Sequence, residues 1–489
     1  MRRAALVVAA GLLLAAPTVL AFFSGGFFTE PRLIAAIAAW LIVLVLAAIG
    51  ETPLPRNVPG WLAVGGLALL AAWTAASIGW APLRGPATED VERLLLYLGA
   101  LLIAIAVARV PFVMDAFEPA LAAGITIVIG EGLSGRLLPG LIHLAHSSHA
   151  GGRLEQPITY WNSEGALAAI GLVLCARIAG DASRQRWLRC GAAAAGAPLG
   201  VAIYISYSRG AIAAAVVGLV VLVAALPARA QLRGAALVAA TGVVSAALSA
   251  ALPGVASLDG SLGARERDGA IMLVLLLLIG GAAALVTARL STADRGNDGQ
   301  EPASPVVRRR ALVAVGVVVL VTAGLVIGGL RENISASEFA RANPARLTSV
   351  SSNRYDYWRI GARAFAQHPL KGLGSSGFRA YWLRERPIPE AVRNVHSLEL
   401  ETAAELGIVG LFALLAMLGG VGWAARRALA GSPGIAAGLS AGAVTWLVHA
   451  SIDWDWQLPA VTLPAVALAG ALITAADRAI ETDPWQSSS

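Results

Sequence analysis

The chain has 489 residues, 57% of them hydrophobic and only 14% charged, with a formal net charge of +7. Its mean hydropathy is +0.70, and apolar runs of about 20 residues, each long enough to cross a hydrocarbon core, recur from end to end. That excludes a soluble globular enzyme and a disordered tail, and predicts an all-α, polytopic integral membrane bundle.

Apolar windows predict about 14 spans, or 12 if a pair in the N-terminal half is overcounted. They lie near 4–23, 32–50, 60–80, 91–109, 112–130, 163–180, 187–206, 209–227, 233–252, 269–289, 310–330, 398–424, 432–450 and 459–476. The first run follows Met1-Arg2-Arg3 and lacks a convincing cleavage site, so it reads as an uncleaved helix. The spans at 91–109 and 112–130 are joined only by Val110-Pro111 and could instead form a re-entrant hairpin. Arginines mark alternate connections: Arg177, Arg184, Arg186 and Arg189, then Arg229 and Arg233, then Arg308-Arg309-Arg310, then Arg426-Arg427. By the positive-inside rule these face the cytoplasm, which puts both termini in the cytoplasm. They also explain most of the basic character, in which Lys371 is the only lysine, without any nucleic-acid partner. Cys175 and Cys190 fall at predicted inner helix ends and have no zinc-type spacing.

The sequence divides into N-terminal helices (1–330), a long loop (331–397) and C-terminal helices (398–489), expected to act as one functional unit. The loop is polar and basic, carrying among others Arg331, Arg341, Arg346, Arg354, Arg359, Arg363, Lys371 and Arg379 against few acids. Positive charge on the outer side runs against the usual bias, and its simplest use is attraction of an anion at the membrane surface. Helical spacing from Tyr355 to Gln367 ends at His368-Pro369, and Gly372 to Phe378 is rich in turn residues. That glycine run lacks the lysine-hydroxyl ending of a P-loop, which argues against nucleotide binding.

Three polar clusters gather where outer loops meet helices. His396-Ser397 precedes a helix on which Ser397, Glu401 and Glu405 share a face, and Gly407 and Gly410 would let a neighbouring helix approach. Glu399 and Glu401 could orient the imidazole or be structural. Tyr204 to Gly210 contains Tyr207, Ser208 and Arg209, the arginine opening a helix whose N-terminus favours an anion; snorkelling to lipid phosphate is the alternative. Gln156 to Ser163 presents Asn162 at another helix start, where capping is the alternative.

Ser208-Arg209-Gly210, Ser352-Asn353-Arg354 with Trp358, Gly372/Gly374/Gly377 and His396-Ser397 with Gly407 and Gly410 resemble the O-antigen ligase/polymerase superfamily of bacterial GT-C membrane glycosyltransferases. The resemblance implies metal-independent transfer of a glycan from an undecaprenyl-pyrophosphate carrier to an acceptor hydroxyl, outside the cytoplasmic membrane and without a cofactor. Arginines suit the leaving pyrophosphate, being permanently charged and planar, so Arg209 and Arg354 are the expected clamp. His396 is the expected base for the acceptor, or else a third phosphate ligand. Asn162, Tyr207, Ser208, Glu399, Glu401, His449 and Asp453 are the further residues expected around the cavity. A ligase would use a lipid, cell-wall or protein acceptor, and a polymerase a second lipid-linked repeat.

Two other constellations compete. His143, His146 and His149 could bind zinc, but no acid or cysteine lies near them in sequence. Asp453-Trp454-Asp455, close after His449, has DxD form, yet metal-dependent oligosaccharyltransferases use acids in early outer loops and here that loop offers only Glu30. A transporter or lipid flippase is the reading from another class, and matched halves, its usual mark, are not evident.

Overall fold

The computed structural model describes residues 2–293, 306, 309 and 353–481. Fifteen helices organise the description. They are α1 (Arg2–Ala21), α2 (Thr29–Ala48), α3 (Val58–Ser77), α4 (Arg84–Val107), α5 (Phe117–Leu137), α6 (Trp161–Gly180), α7 (Arg186–Ile205), α8 (Arg209–Ala225), α9 (Arg229–Ala250), α10 (Leu262–Ala293), α11 (Arg354–Gln367), α12 (Phe378–Glu385), α13 (Leu398–Gly431), α14 (Pro433–Ala450) and α15 (Pro459–Glu481). Every predicted span is a helix except the one near 310–330, which lies outside the described residues together with Arg308, Arg310, Arg331, Arg341, Arg346 and Ser352. Among the described residues no strand element occurs, and 10 helices are long and apolar enough to cross a membrane. The chain is an all-α polytopic membrane bundle.

Both members of the doubtful pair are long helices, and the second, continued back to Pro111, is among the 10. α4 has 24 residues and α5 has 21, and at about 1.5 Å per residue each exceeds 30 Å. Helix α4 was weakly marked in sequence because Glu89, Asp90, Glu92 and Arg93 interrupt its first turns.

The core surrounds α6, whose 18-residue apolar window is buried throughout, and α15, where 94% of the window is buried. Alanine and glycine line α6, and small residues let packed helices approach closely where lipid supplies no hydrophobic drive between them. At the end of the bundle away from α11 and α12, arginines bind helix ends. Arg184 meets Glu118 at 3.3 Å and Arg478 donates to the Ala108 carbonyl at 2.9 Å. There Asn57 donates to Asp477 at 2.5 Å, joining the start of α3 to the end of α15.

At the opposite end, α11 and α12 form a small core on the first turns of α13, with Tyr357, Ile360, Phe378, Trp382 and Val395 buried together. Its seat is a break in α13. Gly407 has φ 65° and ψ −161°, a region open essentially to glycine alone. The carbonyls of Ala404 and Glu405 accept from Leu373 (3.0 Å) and Gly374 (2.8 Å), and Ile408 donates to the Pro369 carbonyl at 2.8 Å. The close approach at Gly407 is therefore made by the loop and not by a neighbouring helix: a Cβ there would lie 2.4 Å from the Leu370 oxygen, whereas one on Gly410 would meet its own helix's Leu406. The glycine run at 372–377 cradles a carboxyl group of the protein itself, that of Glu405. The Glu405 carboxyl takes the N–H groups of Ser376 (2.9 Å) and Phe378 (3.0 Å).

Candidate functional site

Local structure sets each arm of the site. Ser208 has extended backbone and caps α8 through its hydroxyl, which accepts from Ala211 N–H at 3.2 Å, so Arg209 is the first helical residue. Ser397 caps α13 in the same way, accepting from Leu400 N–H at 3.4 Å, which fixes His396 immediately before the helix. Arg354 opens α11. Asn162 is not a cap: Tyr160 precedes the helix, and the Asn162 amide donates to the Tyr160 hydroxyl at 2.7 Å.

These ends meet around a cavity of about 570 Å³. Arg209, Arg354, His396, Asn162, Tyr207 and Ser208 all line it, so the first-choice residues converge from positions nearly 200 apart in the chain. Glu399, Glu401, His449 and Asp453 stand behind its wall. Asp453 is fully buried, forms an ion pair with Arg354 and accepts from the Tyr160 hydroxyl at 2.9 Å. Glu401 holds the loop before His396, accepting from Val395 N–H at 2.8 Å and the Asn394 amide at 3.2 Å. Glu399 accepts from Ser451 at 2.7 Å. His449 contacts Ser208, and its other nitrogen pairs with Asp455.

His396 is the most constrained of these residues. Its φ is +60°, the left-handed region that costs an ordinary side chain about 1–2 kcal/mol. Trp358 donates to its carbonyl at 3.1 Å, and the ring packs on Tyr357 with centroids 5.1 Å apart. Nδ1 lies 3.0 Å from the Asn394 carbonyl. A carbonyl only accepts, so this nitrogen carries the proton and Nε2 holds the free lone pair. Burial pushes the imidazole below its usual range, and Arg354 pushes the same way against Asp453 and the Asn394 bond. The ring is therefore neutral near pH 7.

Burial alone would lower the Arg354 guanidinium, but Asp453 beside it wins and holds it above its usual range. In turn Asp453 would rise on burial, and Arg354 with the two histidines holds it below. Arg209 and Arg354 are near enough for their charges to repel. The DxD segment is split in its duties, since Asp453 serves Arg354 while Asp455 serves His449 and Ser163. Among the described residues no group of three or more histidine, cysteine or acidic side chains is arranged to hold a metal, the histidine triple at 143–149 included.

Several contributors escaped the sequence reading. Tyr357 and Glu390 line the cavity and bond to each other at 2.7 Å, and Arg153 stacks 3.7 Å from the Trp161 ring. Behind the site, Gln457 joins Arg93 to Glu401, and Arg93 pairs with Asp90 at 2.6 Å. The polar residues at the head of α4 were the available signal for this last group.

Residues 268–415 match the family model described as O-antigen ligase. No curated protein matches the chain. The matched stretch holds Arg354, His396 and Gly407, while Asn162, Arg209, His449 and Asp453 lie outside it and join by folding. This match at residues 268–415 supports placing the chain in the O-antigen ligase/polymerase superfamily.

Proposed function

We propose that this protein is a membrane glycosyltransferase of the O-antigen ligase type, moving a glycan from an undecaprenyl-pyrophosphate carrier to an acceptor hydroxyl. One observation carries the reading: Arg209, Arg354 and a His396 with a free Nε2 line a single cavity. Two mutually repelling guanidiniums are relieved by a dianion between them, and a lipid pyrophosphate gains charge as its glycosidic bond breaks. Nε2 of His396 takes the acceptor's proton while that oxygen bonds to the anomeric carbon. The carbon–oxygen bond to phosphate breaks, and its electron pair leaves with the pyrophosphate.

The reaction in this reading needs no metal, because the arginines neutralise the leaving group and both DxD carboxylates are committed to other side chains. The arginine-rich connections support an inner-membrane protein with cytoplasmic termini and an extracytoplasmic site. Helices, loop and C-terminal segment serve as one unit, since the first two line the cavity and the third supplies Asp453 and Glu401 behind its wall.

Incubating purified protein with lipid-linked repeats and a separate acceptor tests the proposal by mass analysis of products. Single transfer to the acceptor supports a ligase, chain growth on the carrier supports a polymerase, and no transfer with either refutes the reading. Cysteines placed beside Ser208 and Asn394 should react with an impermeant reagent in spheroplasts; protection of both would overturn the sidedness.

A further inference from the structure

A buried histidine–aspartate pair in the bundle interior is not used by the reaction above. His449, near the end of α14, and Asp455, in the turn after it, are both fully buried, and His449 Nδ1 is paired with Asp455 Oδ2. Nδ1 faces the carboxylate, and Nε2 faces the Ser208 hydroxyl at 3.3 Å. The other Asp455 oxygen accepts from Ser163 at 2.6 Å, and its backbone carbonyl accepts from Thr462 at 2.8 Å. A buried ion pair is weak evidence for stability, since desolvation opposes it. This one is fully bonded and ends on the two helix starts that carry cavity residues, Ser163 beside Asn162 and Ser208 beside Arg209.

We infer that Asp455 and His449 are positioning residues for Arg209, acting through the Ser208 hydroxyl. The inference rests on the reading of Arg209 as a pyrophosphate ligand. Ser208 Oγ is bonded to His449 Nε2 and accepts from Ala211 N–H, so it transmits the position of the pair to the first turn of α8. Gly210 permits the approach, because a Cβ there would lie 3.1 Å from the imidazole. Neither member of the pair lines the cavity. The order Asp455–His449–Ser208 is that of a hydrolase triad, but the serine oxygen is already engaged by the helix it caps, and direct transfer needs no covalent glycosyl-serine.

The test measures binding of undecaprenyl pyrophosphate to the full-length protein in nanodiscs, at matched abundance and melting temperature. Asp455→Asn and Ser208→Ala should each weaken binding about tenfold when Arg209 is present, and less than about twofold in an Arg209→Ala background, because coupled residues are non-additive. Ser208→Thr keeps the hydroxyl and should bind like the parent. Equal losses in both backgrounds, or no loss in either single variant, would overturn the inference and leave the pyrophosphate reading standing. Parental binding by Arg209→Ala would overturn that reading, and this inference with it. A glycosyl adduct on Ser208 after incubation with donor alone would make the serine a nucleophile and also overturn positioning.

Discussion

Replacing His396 by asparagine separates the base from the scaffold that carries it. The residue sits at φ +60°, a conformation that asparagine tolerates better than most side chains. Its backbone is held by groups that the substitution leaves alone: the Trp358 indole on its carbonyl, and Glu401 on Val395 and Asn394. The ring's packing on Tyr357 is lost, at a cost of about 0.5–1.5 kcal/mol, and relief of left-handed strain offsets a similar amount. The fold should therefore be nearly unaffected. Loss of a general base instead lowers turnover by about 10²–10⁴-fold, equivalent to about 3–5 kcal/mol in the barrier. Chemistry is thus the larger effect. Transfer rate at saturating donor and undecaprenyl-pyrophosphate binding, both in nanodiscs, give the comparison. Turnover should collapse while binding stays within about threefold. Parental turnover would refute the base role, and a binding loss matching that of Arg354→Ala would make the imidazole a phosphate ligand.

Further outcomes follow from neighbouring groups. His396 must be neutral to act, and its pKa is depressed by burial, so the acid limb of kcat/KM should have its midpoint below about 6.5; a midpoint above that value contradicts the assignment. Arg354→Ala strands a buried Asp453 and should cost about 3–5 kcal/mol of stability. Adding Asp453→Asn should restore the melting temperature but not donor binding, and recovery of both would remove Arg354 from the donor site. Transfer should persist in EDTA, whereas loss rescued by magnesium or manganese would shift attention to Asp453 and Asp455. Gly407→Ala forces a Cβ to 2.4 Å from the Leu370 oxygen in a backbone region costing about 1–3 kcal/mol for other residues. It should sharply lower folded yield, and normal yield would mean that the break in α13 is dispensable.

What was legible in the sequence follows from the range of each signal. Lipid demands long apolar runs, so the spans could be read locally, and Ser208 and Ser397 announced the helix starts that carry Arg209 and His396. The convergence of those starts was legible only through the spacing of motifs around one loop. Glycines misled at Gly407, because a pattern of small residues records that something approaches and not whether it is a helix or a loop. Pairing of polar groups was illegible: Arg354 pairs with Asp453, 99 positions away, and Ser208 bonds to His449, 241 positions away.

The turn between α14 and α15 illustrates why a family match and a site need not coincide. Its residues lie beyond the matched stretch, yet Asp453 reaches Arg354, Asp455 reaches Ser208 through His449, and Gln457 donates to Glu401 at 2.8 Å, the carboxylate that holds the His396 loop. Trp454 packs between Tyr160, with centroids 4.6 Å apart, and His396, 6.5 Å away. Each reactive group stands on a different helix end, and helix ends in a membrane bundle are free to shift unless something outside the spans ties them together. A single short turn that pairs with Arg354, packs near His396 and reaches Ser208 through His449 ties these ends together. In the proposed reaction the DxD spelling has a use other than metal binding: two carboxylates, on either side of a tryptophan in sequence, that pair with Arg354 and His449.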